Sequence, residues 1–125
     1  MKLFVAPRAV KDIMFILDWT REEFGPRTSD RYAKLIRAAL DDVRDDPDRF
    51  GAMKHTALGE SCRTYHLSHS RKNVRGTRVK QPRHMLLFRV VDDVVEIGRV
   101  LHDGMTLDLH LPADFRNPGS EPNDS

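Results

Sequence analysis

Gly25-Pro26 cuts the first third of this chain in two. Proline lacks a backbone donor and disfavours helical geometry in the residue before it, so a helix arriving at Gly25 has to stop. Before the break, Val10, Ile13, Met14, Leu17, Thr20 and Phe24 recur at helical spacing, and Phe15, Ile16 and Trp19 widen the apolar face. After it, Tyr32, Leu35, Ile36, Ala39, Leu40 and Val43 form a second stripe, closed by Asp46-Pro47-Asp48. Thr28, Ser29 or Asp30 is placed to cap this second helix. Two helices joined so closely lie antiparallel as a hairpin.

The rest of the pattern is β. Lys2 to Val5 reads as a short first strand ended by Pro7, and Phe50 to Glu60 as irregular chain. Arg63 to Leu67 alternates with Tyr65 and Leu67 on one face. Met85 to Val91 is a near-continuous apolar strand, Asp92-Asp93 a tight turn, and Val94 to Leu101 the antiparallel return. A strand as apolar as Met85 to Val91 belongs at the centre of a sheet. The expected fold is α+β in the order β-α-α-β-β-β, with the helices on one face of a mostly antiparallel sheet. One domain is expected over residues 1–112. Residues 113–125, rich in Pro, Asn, Gly and Ser, read as a loosely held or disordered tail.

Charge is distributed unevenly. Residues 1–60 balance 11 basic against 11 acidic side chains, whereas residues 61–83 hold seven basic ones and no acid. Residues 68–83 therefore read as an extended, mobile basic loop. Arg71, Lys72, Arg75, Arg78, Lys80 and Arg83 are its candidate contacts to phosphate or to an acidic partner segment. Without an aromatic residue, Arg71 to Arg83 has no base-stacking platform. No stretch approaches the ~20 apolar residues of a membrane span. The single cysteine, Cys62, excludes an internal disulfide and points to a reducing compartment, so a cytoplasmic location is expected.

The residues offer little familiar chemistry. His66 and His69 fall on opposite faces of a strand, and no HExxH or paired CxxC pattern exists, so neither metal nor cofactor is expected. Cys62 beside Arg63 reads more readily as a small buried hydrophobe than as a nucleophile. Metal-free RNA cleavage needs a base, an acid and cations around a phosphate. Arg63, Arg89, Arg99, His102 and His110 are the candidates for that work, against the plainer reading that Arg89 and Arg99 sit on the solvated sheet face paired with Glu96.

Three stretches together resemble a known family: Asp12 to Trp19 running into Phe24-Gly25 and Asp30-Arg31-Tyr32; Leu86 to Val90 followed by Val95-Glu96-Ile97; and Arg99-Val100-Leu101-His102, Met105, then His110-Leu111-Pro112. They resemble the RelE/ParE superfamily of plasmid-stabilisation toxins over about residues 1–112, and its ParE-like branch in particular. The resemblance implies the same β-α-α-β-β-β fold and a cognate antitoxin that wraps the helical hairpin and sheet in a hetero-oligomer. It implies operator DNA contact only through that antitoxin. ParE-like members inhibit DNA gyrase, and RelE-like members cleave messenger RNA on the ribosome. In the ParE-like branch an aspartate usually follows the methionine; Thr106 stands there in this chain.

RNA-cleaving members carry basic residues on the middle strands and a late tyrosine. Here the tyrosines are Tyr32 and Tyr65, Met85 takes the place of an expected arginine, and Arg63 is the matching cation. His110 is the substitute general acid on that reading. The leading expectation is a gyrase-binding growth inhibitor contacting target or antitoxin through the basic residues with His102 and Met105. The alternatives are a ribosome-dependent endoribonuclease and an inactive toxin fold kept as a repressor partner. Apolar surface left on the hairpin would make the free chain sticky and favour a stable antitoxin complex.

Overall fold

The computed structural model describes residues 1–76 and 79–116. The elements run β1 (Lys2–Val5), α1 (Pro7–Phe24), α2 (Pro26–Asp45), β2 (Met53–Lys54), β3 (Arg63–His66), β4 (His84–Val91), β5 (Val94–His102) and the single turn α3 (Leu107–His110). A 3-10 segment, Leu67–Asn73, follows β3, and a 3-10 turn, Ala113–Phe115, follows α3. The five strands order as β1-β5-β4-β3-β2, with β1 parallel to β5 and the other neighbours antiparallel. The α+β expectation holds. The two-residue β2 is an edge strand that the irregular composition of 50–60 concealed.

Gly25-Pro26 does separate the helices, with one refinement. Pro26 opens α2 at its first position, where the missing donor costs nothing and the fixed φ is already helical. Gly25, at φ 92, ends α1 through its N–H to the Arg21 carbonyl and caps α2 in the same residue. Ser29 is therefore inside the helix rather than a cap. Buried, its hydroxyl donates across the hairpin to the Leu17 carbonyl at 2.9 Å. Ser29→Ala is expected to cost ~1 kcal/mol, the usual net worth of one such bond, as read by chemical denaturation.

The α2 stripe is buried as its spacing predicts, from Tyr32 to Val43. In α1 only Ala9, Ile16 and Thr20 are buried, with Ile13 and Leu17 half-covered. Val10, Met14 and Phe24 of the helically spaced apolar stripe are exposed, as are Phe15 and Trp19. The sheet's helix-facing side adds Tyr65, Leu86, Phe88, Val95, Ile97 and Val100 to the core.

The opposite sheet face is covered too. Leu87 and Leu101 pack with Cys62, Leu111 and Phe115 in a second cluster. Residues 113–116, expected to be loosely held, instead place Phe115 in this cluster at 4% exposure. The remainder of the expected tail, from 117 onward, lies outside the described residues. The strap's close approach explains Gly98: a Cβ there would stand 2.7 Å from the Phe115 ring. Gly98 is also the extra residue of a bulge, since Leu87 pairs with Arg99 while Phe88 pairs with Ile97. The bulge switches parity, so Ile97 faces the helices while Arg99 and Leu101 face the strap.

The expected basic loop is largely folded. Leu67 and Ser70 are fully buried, and Ser70 donates to Asp42 of α2 at 2.6 Å while sharing a 2.8 Å bond with Tyr65. Val74 and Val79 pack on the main core. Two apolar anchors and a buried hydroxyl network outweigh the segment's charge, so it lies along α2 instead of projecting from the sheet.

Candidate functional site

The five candidates for RNA cleavage do not converge. Arg63 faces the helix side, where its guanidinium donates to the Pro47 carbonyl at 3.0 Å and to Asp48 at 2.8 Å. Arg89 lies on the other face, bonded to Glu96 at 3.0 Å and to Asp114, with its guanidinium 4.6 Å from the centre of the Phe115 ring. The expected Glu96 pairing is present, but the strap leaves the Arg89 side chain only 20% exposed, so this is not a solvated face. Arg99 reaches round the edge of β5 to Asp12 of α1, at 2.8 and 3.1 Å. His110 is half-buried, and its carbonyl accepts from Arg99. His102 sits at the far end of β5, edge-on to His84. Each arginine is already neutralised by a carboxylate.

A different site is assembled at that end of the sheet. β1 stops pairing at Val5–Ile97, so the outer edge of β5 beyond Ile97 has no strand beside it. Between this edge and α1 runs a groove of about 990 Å³. Phe15, Trp19 and Phe24 of α1 line it together with Val79, Val100, Leu101 and Met105. Arg8, Lys11, Arg83 and Arg99 stand along its margins with Asp12 as the acid among them, and Asp12 is taken up by Arg99. Three of the expected binding residues, Arg83, His102 and Met105, thus meet in one place.

The other cations of the basic segment do not line this groove. Arg71 turns its Nε back to the Val79 carbonyl at 2.8 Å, while Lys72, Arg75 and Lys80 are exposed. Arg78 lies outside the described residues. Sequence reasoning counted Phe15, Trp19 and Phe24 in the apolar face of α1 and expected apolar surface on the hairpin, but did not place it opposite the free edge of β5. Its signal was the apolar run Ile13 to Leu17, which surrounds a helix rather than striping it.

Tyr32 and His84 meet at the groove's polar end. The Tyr32 hydroxyl accepts from the Arg83 N–H at 3.1 Å, so its proton faces His84 Nδ1 at 2.6 Å. Burial pushes the Tyr32 phenol up to about 12 and His84 down to about 4, with His102 as a second, charge-repelling cause for His84. A neutral tyrosine and a neutral histidine match that bond. Cys62 is buried and its thiol is pushed up to about 11, so it is an inert part of the second cluster. No group of three or more His, Cys, Asp or Glu suited to a metal occurs among the described residues. None of their helices is long and apolar enough to cross a membrane.

Comparison with known proteins agrees with this architecture. No curated protein matches this chain. A chain from a solved structure titled "Chromosomal ParDE TA system from P. aeruginosa" matches with a TM-score of 0.50 and 17% identity, covering 82% of this chain and 95% of that one. At that identity the likeness establishes the fold. The family model described as "ParE toxin of type II toxin-antitoxin system, parDE" matches residues 3–107, from β1 into α3, and so spans the hairpin, the sheet and the whole groove. The chain belongs to the ParE toxin family.

Proposed function

We propose that this toxin arrests growth by binding DNA gyrase, without chemistry of its own, and that a cognate antitoxin neutralises it by seating an acidic amphipathic helix in the α1–β5 groove. The observation that carries the reading is the groove itself. It is lined by the exposed side chains of Phe15, Trp19 and Met105 beside the buried Val100, together with Arg8, Lys11 and Arg83. An apolar face flanked by acids is the complement such a surface selects. An exposed patch of this kind on a small domain marks a binding surface. The target half rests on membership of the ParE family and on the scattering of Arg63, Arg89, Arg99, His102 and His110, which leaves no base, acid and phosphate clamp in reach of one another.

The decisive measurement uses the purified full chain in a gyrase supercoiling assay. Supercoiling is expected to fall with toxin concentration and to recover when antitoxin is added in equal amount. Unimpaired supercoiling together with codon-associated messenger RNA cuts in induced cells, lost in His110→Ala, would instead establish the endoribonuclease. No effect on growth would establish the inactive repressor partner.

A further inference from the structure

The basic stretch 71–83 has no aromatic residue of its own, and the fold brings three beside its end. Arg83 lines the α1–β5 groove with Phe15, Trp19 and Phe24, and Lys80 lies exposed between the groove-lining Val79 and Gln81. Arg8 and Lys11 enter from the α1 side. Of the four cations that line the groove, Arg99 is taken up by Asp12, the one acid among the lining residues. Arg8 and Arg83 stand 3.8 and 3.4 Å from Asp12 and Asp103, but with side chains 67% and 61% exposed these pairs are weak. The groove therefore carries a positive potential that draws an anionic ligand.

The rings decide which anion. Phe15, Trp19 and Phe24 are all exposed. Trp19 and Phe24 meet at 72° with their ring centroids 5.7 Å apart. An edge-on contact occupies at most one face of each ring, so the indole keeps a face for a stacked partner. Positions 8, 11, 15 and 19 follow one another at helical spacing, which sets two cations and two rings along one side of α1. A carboxylate would satisfy the cations alone. Unpaired bases with their phosphates use both, because every base has a face to stack and a charged backbone beside it. A duplex keeps its base faces in its own stack and could engage only the cations.

We propose that the groove of the antitoxin-free toxin binds single-stranded nucleic acid, with bases stacked on Trp19 and Phe15 and phosphates held by Arg8, Lys11 and Arg83. The strand is a second ligand for the groove, beyond the acidic helix, and the two exclude each other. Stacking tolerates any base, so the binding carries no sequence preference.

The test uses the full chain without antitoxin and fluorescein-labelled octathymidylate, with binding followed by anisotropy. Trp19 is the sole tryptophan, so its emission reports the contact directly and is expected to be quenched at saturation. Trp19→Ala and Phe15→Ala are each expected to weaken binding roughly 5- to 150-fold, the range for losing one stacked base, with thermal melts close to the parent's. Phe50→Ala removes an exposed ring outside the groove and should leave binding unchanged. Three phosphate contacts give an expected slope of about −2 in log K against log salt, and Lys11→Ala should reduce its magnitude by ~0.7. The proposal is overturned if the strand fails to bind at low salt, if Trp19 emission stays constant at saturation, or if both aromatic variants bind within about twofold of the parent. A hairpin duplex that displaces the probe as well as unlabelled strand does also overturns it, since charge alone would then account for the binding. Addition of purified antitoxin tests the other reading separately. A strand that binds as expected and is not displaced sustains this proposal and removes the antitoxin helix from the groove.

Discussion

Replacing Asp12 with alanine is expected to destabilise the fold by ~3–5 kcal/mol, the range for stripping one partner from a buried ion pair. Asp12 lies on α1, and its carboxylate accepts from Arg99 Nε at 2.8 Å, from Arg99 Nη2 at 3.1 Å and from the Val100 N–H at 3.0 Å. Both side chains are only 13% exposed, so solvent screens the pair weakly. The geometry has a cause in the sheet. β1 ends at Val5, opposite Ile97, and the next outward-facing amide of β5 has no strand to receive it. Asp12 supplies that acceptor from the helix above. Truncation therefore orphans a guanidinium and a backbone N–H together, and each loss is costly on its own. Asp12→Asn keeps an oxygen for Val100 while losing the charge, and should fall between the parent and alanine. For a domain of about this size each kcal/mol corresponds to roughly 4 °C in Tm, so thermal melts separate the three proteins readily. A loss under ~1 kcal/mol for Asp12→Ala would mean that this seam does not hold α1 to the sheet.

Such a contact, 87 residues apart in sequence, shows where the sequence becomes illegible. Periodicity located α2 and its core face, the first strand and the β4–β5 hairpin, because each is decided by local spacing against a single buried surface. Arg99 could not be placed that way. Strict alternation would set it beside Ile97, under the helices; the Gly98 bulge puts it on the strap face, from which it reaches round the edge of β5 to Asp12. The strap was hidden for a related reason: Phe115 stands among polar and proline-rich residues, and its pocket is made by Gly59, Gly98 and Cys62 from elsewhere in the chain. The basic segment misled in the opposite sense. Its six cations pointed to a mobile loop, while Leu67, Ser70, Val74 and Val79, thinly spread along it, dock it on the core. For the site, charge and family pattern named Arg83, His102 and Met105 but not the aromatic wall facing them. An unpartnered helix face looks like a core face until the sheet is seen to end short of it.

That aromatic wall carries the largest expected effect on binding. Trp19→Ala and Phe15→Ala are each expected to weaken antitoxin binding by ~2–4 kcal/mol, as for truncated aromatic anchors at the centre of an interface. This corresponds to roughly 30- to 1000-fold in Kd. Trp19 is 47% and Phe15 72% exposed in the free chain, so neither change should lower folding stability by more than ~1 kcal/mol. Binding and stability thus separate, as they do not for core positions such as Leu35 or Leu86. The charged margin behaves differently. Lys11→Glu with Arg83→Glu should slow association and reverse its dependence on salt, with a smaller effect on dissociation. Titration calorimetry and stopped-flow mixing with the purified antitoxin read the two contributions independently. Growth supplies a second reading, because a toxin that escapes its antitoxin should arrest cells even when both are expressed. If Trp19→Ala and Phe15→Ala both bind within about threefold of the parent, the antitoxin's anchor lies outside this groove, and the exposed aromatic residues of α1 would belong to the contact with gyrase instead.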